Sequence, residues 1–224
     1  RAAAPWQPIR RKLSPRGQDG PALLIAKSDI RTKRYESKSD RLLIFTVDAS
    51  GSAAMTRLNE AKGAVELLLA QAYARRDHVA LVSFRGDTAD ILLQPTRSLV
   101  QTKRQLAALP GGGGTPLASG IKAALELAFT ARTKGMTPTI ALLTDGRANI
   151  ALDGSANRKD AASDAATLGQ SVRSQNISAI VIDMGNRPER QLEALADSMN
   201  APYIPLPRAN AERLSTAVSV ALDG

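Results

Sequence analysis

The sequence contains no cysteine and a single histidine, His78. Without cysteine, the chain cannot form a disulfide, a thiolate zinc site, an iron–sulfur cluster or a thiol nucleophile. With one histidine, it cannot supply the several imidazole ligands of zinc and non-haem iron sites. These two absences exclude most transition-metal and thiol chemistry.

Aromatic residues are also scarce, at 3% of the 224 positions, so few side chains are available to stack on nucleic-acid bases. No apolar run reaches the ~18 residues of a membrane-spanning helix, so we expect no membrane span. No signal-peptide pattern opens the chain, and we expect a cytoplasmic location. The first residue is Arg1 rather than Met, which suggests a fragment or a processed form.

The formal charge of +9 is unevenly distributed. Residues 1–40 hold ten basic and four acidic residues, whereas the remainder is nearly balanced, which weakens a nucleic-acid-binding interpretation. We interpret residues 1–38 as a basic, proline-containing linker or N-terminal extension with partial order, in which 22–26 and 30–35 are candidate strands. A flexible, solubilising arm is the alternative interpretation. Residues 39–224 are predicted to form one domain.

Apolar runs alternate with segments of helical periodicity from residue 40 onward, which predicts an α/β fold with a doubly wound, mainly parallel sheet and helices on both faces. The tight turn at 85–87 predicts that the strand after it pairs antiparallel, at one edge. The expected strands are 42–47, 78–84, 88–93, 139–144, 177–183 and a short one near 203–204. The expected helices are 56–75, 98–108, 116–132, 159–174, 188–199 and 210–222, with Thr115 as the N-cap of the third.

Oxygen-bearing side chains follow the ends of two predicted strands and precede one helix. Asp48, Ser50 and Ser52 follow the first strand, Thr115 follows a run of four glycines, and Asp145 follows the fourth strand. Because the carboxyl ends of parallel strands share one edge of a sheet, the three loops are expected to meet there. Carboxylates and hydroxyls suit a hard divalent cation such as Mg²⁺.

Two simpler interpretations compete with a metal site. Asp48 and Thr115 could serve only as caps of the helices that follow them. A serine nucleophile at Ser50 or Ser52 would need His78 beside it, because that is the only imidazole in the chain. We interpret His78 as a surface or hydrogen-bonded histidine at the start of a strand.

These loops resemble the metal-ion-dependent adhesion site of von Willebrand factor A, or integrin I, domains, in which an acidic partner side chain completes the coordination of the metal. By this resemblance Asp48, Ser50, Ser52, Thr115 and Asp145 would be the metal ligands, for Mg²⁺ or Mn²⁺. The stretches 45–52, 82–87, 113–117 and 142–149 are similar, more narrowly, to the integrin I domain of magnesium chelatase D subunits of the bacteriochlorophyll type.

The resemblance implies a part in a three-subunit ligase that uses ATP to insert Mg²⁺ into protoporphyrin IX in (bacterio)chlorophyll biosynthesis. The expected partners are an AAA+ ATPase subunit (I), arranged with D in rings, and a porphyrin-binding subunit (H). No Gly-x-x-x-x-Gly-Lys-Ser/Thr loop occurs, so ATP use belongs to the partner and the domain is expected to be non-catalytic. The alternative is a domain of a cobalt chelatase or of another AAA+-associated scaffold. Missing secretion signals and cysteines argue against a stand-alone extracellular adhesin.

Several charged residues near this edge are candidate partner-binding groups. Arg85, Gly86 and Asp87 form a triplet that could be an integrin-type ligand, although a hairpin turn explains the same residues. Arg147 lies beside the predicted metal edge and could steer an acidic partner. Arg158 is a similar candidate, and Asp183 could either support the metal loops or cap the following turn.

Overall fold

Six strands build one sheet in the second of two compact units, which comprise residues 1–38 and 39–224. The computed structural model describes residues 3–13, 23–30, 40–50, 62–146 and 148–205. The strands are β1 (Arg41–Asp48), β2 (His78–Arg85), β3 (Thr88–Thr96), β4 (Thr137–Thr144), β5 (Ser178–Asp183) and β6 (Tyr203–Pro205). The helices are α1 (Gln7–Leu13), α2 (Lys62–Ala74), α3 (Leu99–Ala107), α4 (Leu117–Thr133), α5 (Arg158–Ser174) and α6 (Arg190–Met199).

The strand order is β3-β2-β1-β4-β5-β6, with β1 near the centre. All neighbours pair in parallel except β2 and β3, which are antiparallel and place β3 at one edge. The predicted fold class is therefore confirmed, including the antiparallel edge strand. Strand β3 runs three residues beyond the predicted end at 93.

Both faces of the sheet are covered, which is why β1 reads as a continuous apolar run. Leu42 and Ile44 on one face belong to a core shared with α4, α5 and α6. Leu43 and Phe45 on the other face belong to a core shared with α2 and α3. The helices therefore hold the strands from both sides and leave the carboxyl edge to the loops.

The start of α4 corrects one expectation. The helix begins at Leu117 with Pro116 as its N-cap residue, and no side chain caps it. The prediction of Thr115 as N-cap was therefore wrong, because the Thr115 hydroxyl donates to the Ser50 hydroxyl instead. Because α4 begins one residue later than predicted, the Thr115 side chain is available for contacts at the edge of the sheet.

The unit of residues 1–38 contains a helix that the sequence interpretation missed. In α1, Gln7 accepts a hydrogen bond from the Leu24 amide at 2.8 Å and donates one to the Leu24 carbonyl at 2.8 Å. Arg10 of the same helix forms an ion pair with Asp29. The candidate strand at 22–26 was wrong for residues 23–26, because their backbone pairs with this side chain rather than with a strand.

Some predicted elements lie outside the described residues. They are the helix at 210–222, the first residues of the helix predicted at 56–75, and most of the strand predicted at 30–35. Ser52 and Arg147 also lie outside the described residues.

Candidate metal centre

Asp48 is the last residue of β1 and is fully buried. Its Oδ1 accepts a hydrogen bond from the Ser50 amide at 2.9 Å, which turns the chain sharply after the strand. Its Oδ2 accepts a hydrogen bond from the Thr144 hydroxyl at 2.8 Å, across from the end of β4. Both oxygens of the carboxylate are therefore held in place by the ends of two adjacent parallel strands.

Burial raises the pKa of Asp48 to about 6, from an ordinary value of 3.8. The hydrogen bonds from Ser50 and Thr144 act in the opposite direction, and the negative charge of Asp145 adds to the increase. Among the described residues, no lysine or arginine forms an ion pair with Asp48. A bound cation would favour the ionised form of this carboxyl, since an opposite charge lowers a carboxyl pKa.

The Thr115 loop is tied to the loops after β1 and β4. The Thr115 hydroxyl donates to the Ser50 hydroxyl at 2.7 Å. The Thr115 amide donates to the Asn149 side-chain oxygen at 2.7 Å, and the Asn149 amide donates to the Thr115 carbonyl at 3.2 Å. The three loops therefore meet at the carboxyl edge, in the arrangement that the sequence interpretation expected.

The glycine loop before Thr115 packs against the turn between β2 and β3. The Gly112 amide donates to the Ala49 carbonyl at 3.0 Å. Gly113 has φ +91°, and a Cβ there would lie 2.9 Å from the Cα and the amide nitrogen of Gly86. A Cβ on Gly114 would lie 2.8 Å from the Gly86 carbonyl oxygen. Only residues without a side chain allow this approach, so the glycines determine where Thr115 sits.

The residues brought together fit a hard divalent cation better than a softer metal. Asp48, Ser50 and Thr115 converge through the contacts above, and Asp145 is half-buried and close enough to influence Asp48. Among the described residues, no group of three or more His, Cys, Asp or Glu side chains could hold a metal ion. A cation here would therefore depend on hydroxyl oxygens and water beside the two carboxylates, which is the coordination that Mg²⁺ accepts.

The turn of residues 85–87 combines one backbone contact with two exposed charged side chains. Gly86 adopts φ +63° and packs its backbone against Gly113, as described above. Arg85 and Asp87 are exposed. The turn interpretation explains the glycine, and the binding role of the two charged residues stays a prediction.

Of the two remaining candidates, His78 lies away from the converging hydroxyls and Asp183 stabilises a local turn. His78 pairs with Leu42 and Phe84 pairs with Asp48, so His78 lies six residues, or roughly 20 Å, along the strands from Asp48. A serine–histidine pair at this edge is therefore excluded. Asp183 accepts hydrogen bonds from the Gly185 amide at 2.7 Å and from the Tyr203 hydroxyl at 2.5 Å, and so organises the turn after β5.

Thr144 and Asn149 were not singled out from the sequence, yet both position ligand candidates. Thr144 also accepts a hydrogen bond from the Gly146 amide at 3.1 Å, so one hydroxyl connects Asp48 to the turn that carries Asp145. Its position directly before Asp145 was a usable signal, because it ends a strand next to β1. No spacing rule would have pointed to Asn149, which acts across 34 positions of sequence.

We expect Thr144→Val to weaken Mg²⁺ binding by about tenfold, the lower end of the effect of removing a residue that orients a metal ligand. Valine keeps the shape of threonine but cannot donate to Asp48. Thr144→Ser, which keeps the hydroxyl, should restore the affinity, and titration calorimetry would measure both. Thr46→Val is the matched control, because the buried Thr46 hydroxyl has no hydrogen-bond partner in the described residues. Equal affinities for the Val and Ser variants at position 144 would contradict this role.

Comparisons with known proteins show what the chain is similar to. Residues 43–147 match the model of the von Willebrand factor type A domain. The chain is 62% identical over 222 residues to the magnesium-chelatase 60 kDa subunit of Cereibacter sphaeroides, covering 99% of this chain and 39% of the relative. It is 57% identical to the subunit of the same name in Rhodobacter capsulatus, covering 100% of this chain and 40% of the relative. Over almost its whole length, the chain is therefore similar to magnesium-chelatase 60 kDa subunits.

The chain spans about two fifths of the length of those relatives. Among solved structures, it is similar to the vWF domain of the type V pili tip protein Mfa5 from Porphyromonas gingivalis, with a TM-score of 0.65. That likeness covers 81% of this chain and 95% of the other at 14% identity, and therefore supports the fold alone. None of the helices in the described ranges combines the length and hydropathy that a membrane span needs.

Proposed function

We propose that this domain is a metal-dependent protein-docking module of a magnesium chelatase. In this proposal, Asp48, Ser50, Ser52, Thr115 and Asp145 hold Mg²⁺, or Mn²⁺, at the carboxyl edge of the sheet. The cation would offer a coordination position to an acidic side chain of a partner. The domain itself performs no bond-forming chemistry.

One observation carries the proposal, namely the continuous line of hydrogen bonds from Thr115 through Ser50 and Asp48 to Thr144. These hydrogen bonds bring oxygen-bearing side chains from three separate segments of the chain to one buried carboxylate. Simple helix capping does not explain it, because the Thr115 hydroxyl does not cap α4. Leaving a carboxylate buried in this way destabilises the fold, and a bound cation would offset that cost.

We further propose that the module links the AAA+ ATPase subunit to the rest of a hetero-oligomeric ring assembly, with the porphyrin-binding subunit as a second partner. The names of the relatives support a place in such a complex, whose activity would be ATP-dependent insertion of Mg²⁺ into protoporphyrin IX. ATP would be bound by the ATPase subunit. The cytoplasmic location stays a prediction.

The second candidate function is a scaffold domain of a cobalt chelatase or of another AAA+ assembly. The site geometry would be the same in that case, since docking rather than porphyrin chemistry occupies this edge. The identities of 62% and 57% to magnesium-chelatase subunits favour the first candidate.

The function is tested with Thr115→Ala in the full-length subunit, reconstituted with the ATPase and porphyrin-binding subunits. We expect the rate of Mg²⁺ insertion to fall by about tenfold or more, because one metal-facing hydroxyl is lost. ATP hydrolysis by the partner should change much less. Thr130→Ala is the matched control, since the exposed Thr130 hydroxyl donates to the Glu126 carbonyl of its own helix. An unchanged insertion rate for Thr115→Ala would overturn the proposed docking role.

A further inference from the structure

An apolar hollow of about 210 Å³ opens between the first turns of α5 and α6, beside the candidate metal centre. Leu117 and Gly146 contribute to its wall, and these residues directly follow the segments that carry Thr115 and Asp145. The hollow is therefore continuous with the carboxyl edge of the sheet. Further wall residues are Ala162, Ala165, Ala166, Ala194 and Leu195.

The size and the lining of the hollow restrict what it could accept. Its volume lies below the roughly 300–1,000 Å³ of pockets that hold drug-sized ligands or cofactors. A porphyrin would not fit, whereas one aliphatic side chain would. Burying such a side chain among alanine and leucine is favourable because it removes apolar surface from water.

Basic side chains flank the hollow on the side of the metal edge. Arg158 lies four residues before Ala162 on α5, and Arg190 lies four residues before Ala194 on α6, so each arginine shares a helix face with a lining residue. Both arginines are exposed. Each is the first residue of its helix, where a positive charge opposes the helix dipole, so these positions are unfavourable for folding alone.

The acidic residues of the two helices point elsewhere. At about 100° per residue, Asp160 and Asp164 each project from the opposite side of α5 to Ala162. Glu193 likewise projects away from the lining residues of α6. Glu189, directly before α6, is the exception, because its Cγ would lie 3.1 Å from a Cβ on Gly146. The two arginines at the helix starts outnumber this carboxylate at the rim, and their charge complements an acidic partner.

We propose that the hollow receives an aliphatic side chain of the partner segment whose carboxylate reaches the metal, with further acidic side chains contacting Arg158 and Arg190. This inference rests on the proposed function and adds the identity of the recognised segment. The segment combines a central acidic residue, neighbouring leucine-sized side chains and flanking acidic residues. The hollow selects for the aliphatic side chain, and the metal selects for the carboxylate.

The test measures binding of three fluorescent peptides to the chain in Mg²⁺. Their sequences are Glu-Leu-Asp-Leu-Glu, Glu-Ala-Asp-Ala-Glu and Glu-Leu-Asn-Leu-Glu. We expect the first peptide to bind at least tenfold more tightly than each of the others, a typical effect of removing methylene groups from a filled apolar pocket or of losing a charged ligand. No binding of the first peptide at millimolar concentration would overturn the proposal.

Variants separate this proposal from the proposed function. Ala162→Leu should fill the hollow and erase the preference for leucine over alanine, while the preference for Asp over Asn remains. Ser163→Leu is the matched control, because it adds the same bulk to an exposed position outside the lining. Arg158→Glu should weaken binding of all three peptides, whereas Arg173→Glu, at the far end of α5, should not.

A wild-type chain that prefers Asp over Asn but not leucine over alanine would refute the proposed role of the hollow alone. A wild-type chain without the Asp preference would refute the metal-dependent docking itself.

Discussion

Asp48→Asn is expected to melt at a higher temperature than the wild-type chain in EDTA above pH 6, and to lose the stabilisation that Mg²⁺ gives. The pKa of Asp48 is raised to about 6 in the folded chain, above its ordinary 3.8. The folded state therefore holds the proton more tightly than the unfolded state. The loss of folding stability caused by ionising Asp48 is absent below about pH 4, grows between pH 4 and 6, and is complete above pH 6.

The expected size of this cost is about 3 kcal/mol, because a shift of one pKa unit corresponds to about 1.4 kcal/mol. Asparagine removes the charge and keeps an oxygen that can accept from the Ser50 amide. A gain of roughly 6–12 °C in Tm should follow for a domain of this size. For the wild-type chain, Mg²⁺ at a hundred times its Kd should add about 2.7 kcal/mol.

Thermal melts between pH 4 and 8, in EDTA and in Mg²⁺, measure both effects. Asp90→Asn is the control, because Asp90 is exposed on the edge strand β3. The account fails if Asp48→Asn is less stable than the wild type in EDTA at pH 8. It also fails if the variant keeps the wild-type response to Mg²⁺.

Gly113→Ala is expected to destabilise the chain by roughly 3 kcal/mol and to weaken Mg²⁺ binding by about tenfold. Alanine at φ +91° is strained, and its Cβ would lie 2.9 Å from two backbone atoms of Gly86. Backbone atoms cannot move aside as the end of a flexible side chain can. The glycine loop would therefore shift and carry Thr115 away from Ser50.

Gly154→Ala separates backbone strain from the close approach. Gly154 has φ +85°, nearly that of Gly113, but a Cβ there would meet nothing within 4 Å. Its substitution should cost about 1 kcal/mol and leave Mg²⁺ binding unchanged. Chemical denaturation and calorimetric titration of the two variants give the comparison. Similar losses at the two positions would show that the contact with Gly86 does not position the Thr115 loop.

Much of the fold could be predicted because its signals are local. Strand β1 is buried on both faces, and its apolar run from Leu42 to Val47 indicates this directly. The turn around Gly86 indicates the antiparallel edge strand β3 for the same reason. Because these patterns predict a mainly parallel sheet, the convergence of Asp48, Ser50 and Thr115 at one edge follows as well.

The remaining features depend on contacts between distant parts of the chain. The N-terminal helix α1 was missed because its order depends on Gln7 and Arg10 pairing with residues up to 19 positions away. The role of Thr115 as an N-cap was mistaken because propensity favours a hydroxyl before Pro116, whereas the Ser50 hydroxyl lies within reach only in the folded chain. The Asn149 contact and the hollow beside α5 likewise arise only from packing.

Pull-down of the AAA+ ATPase subunit by this chain tests the central claim most directly. The comparison uses the wild-type chain and Asp48→Asn, each in Mg²⁺ and in EDTA, with Asp90→Asn as the control. The account predicts retention of the ATPase subunit by the wild-type chain and by Asp90→Asn in Mg²⁺, and loss of retention in EDTA or with Asp48→Asn. Equal retention under all conditions would contradict metal-dependent docking at this edge.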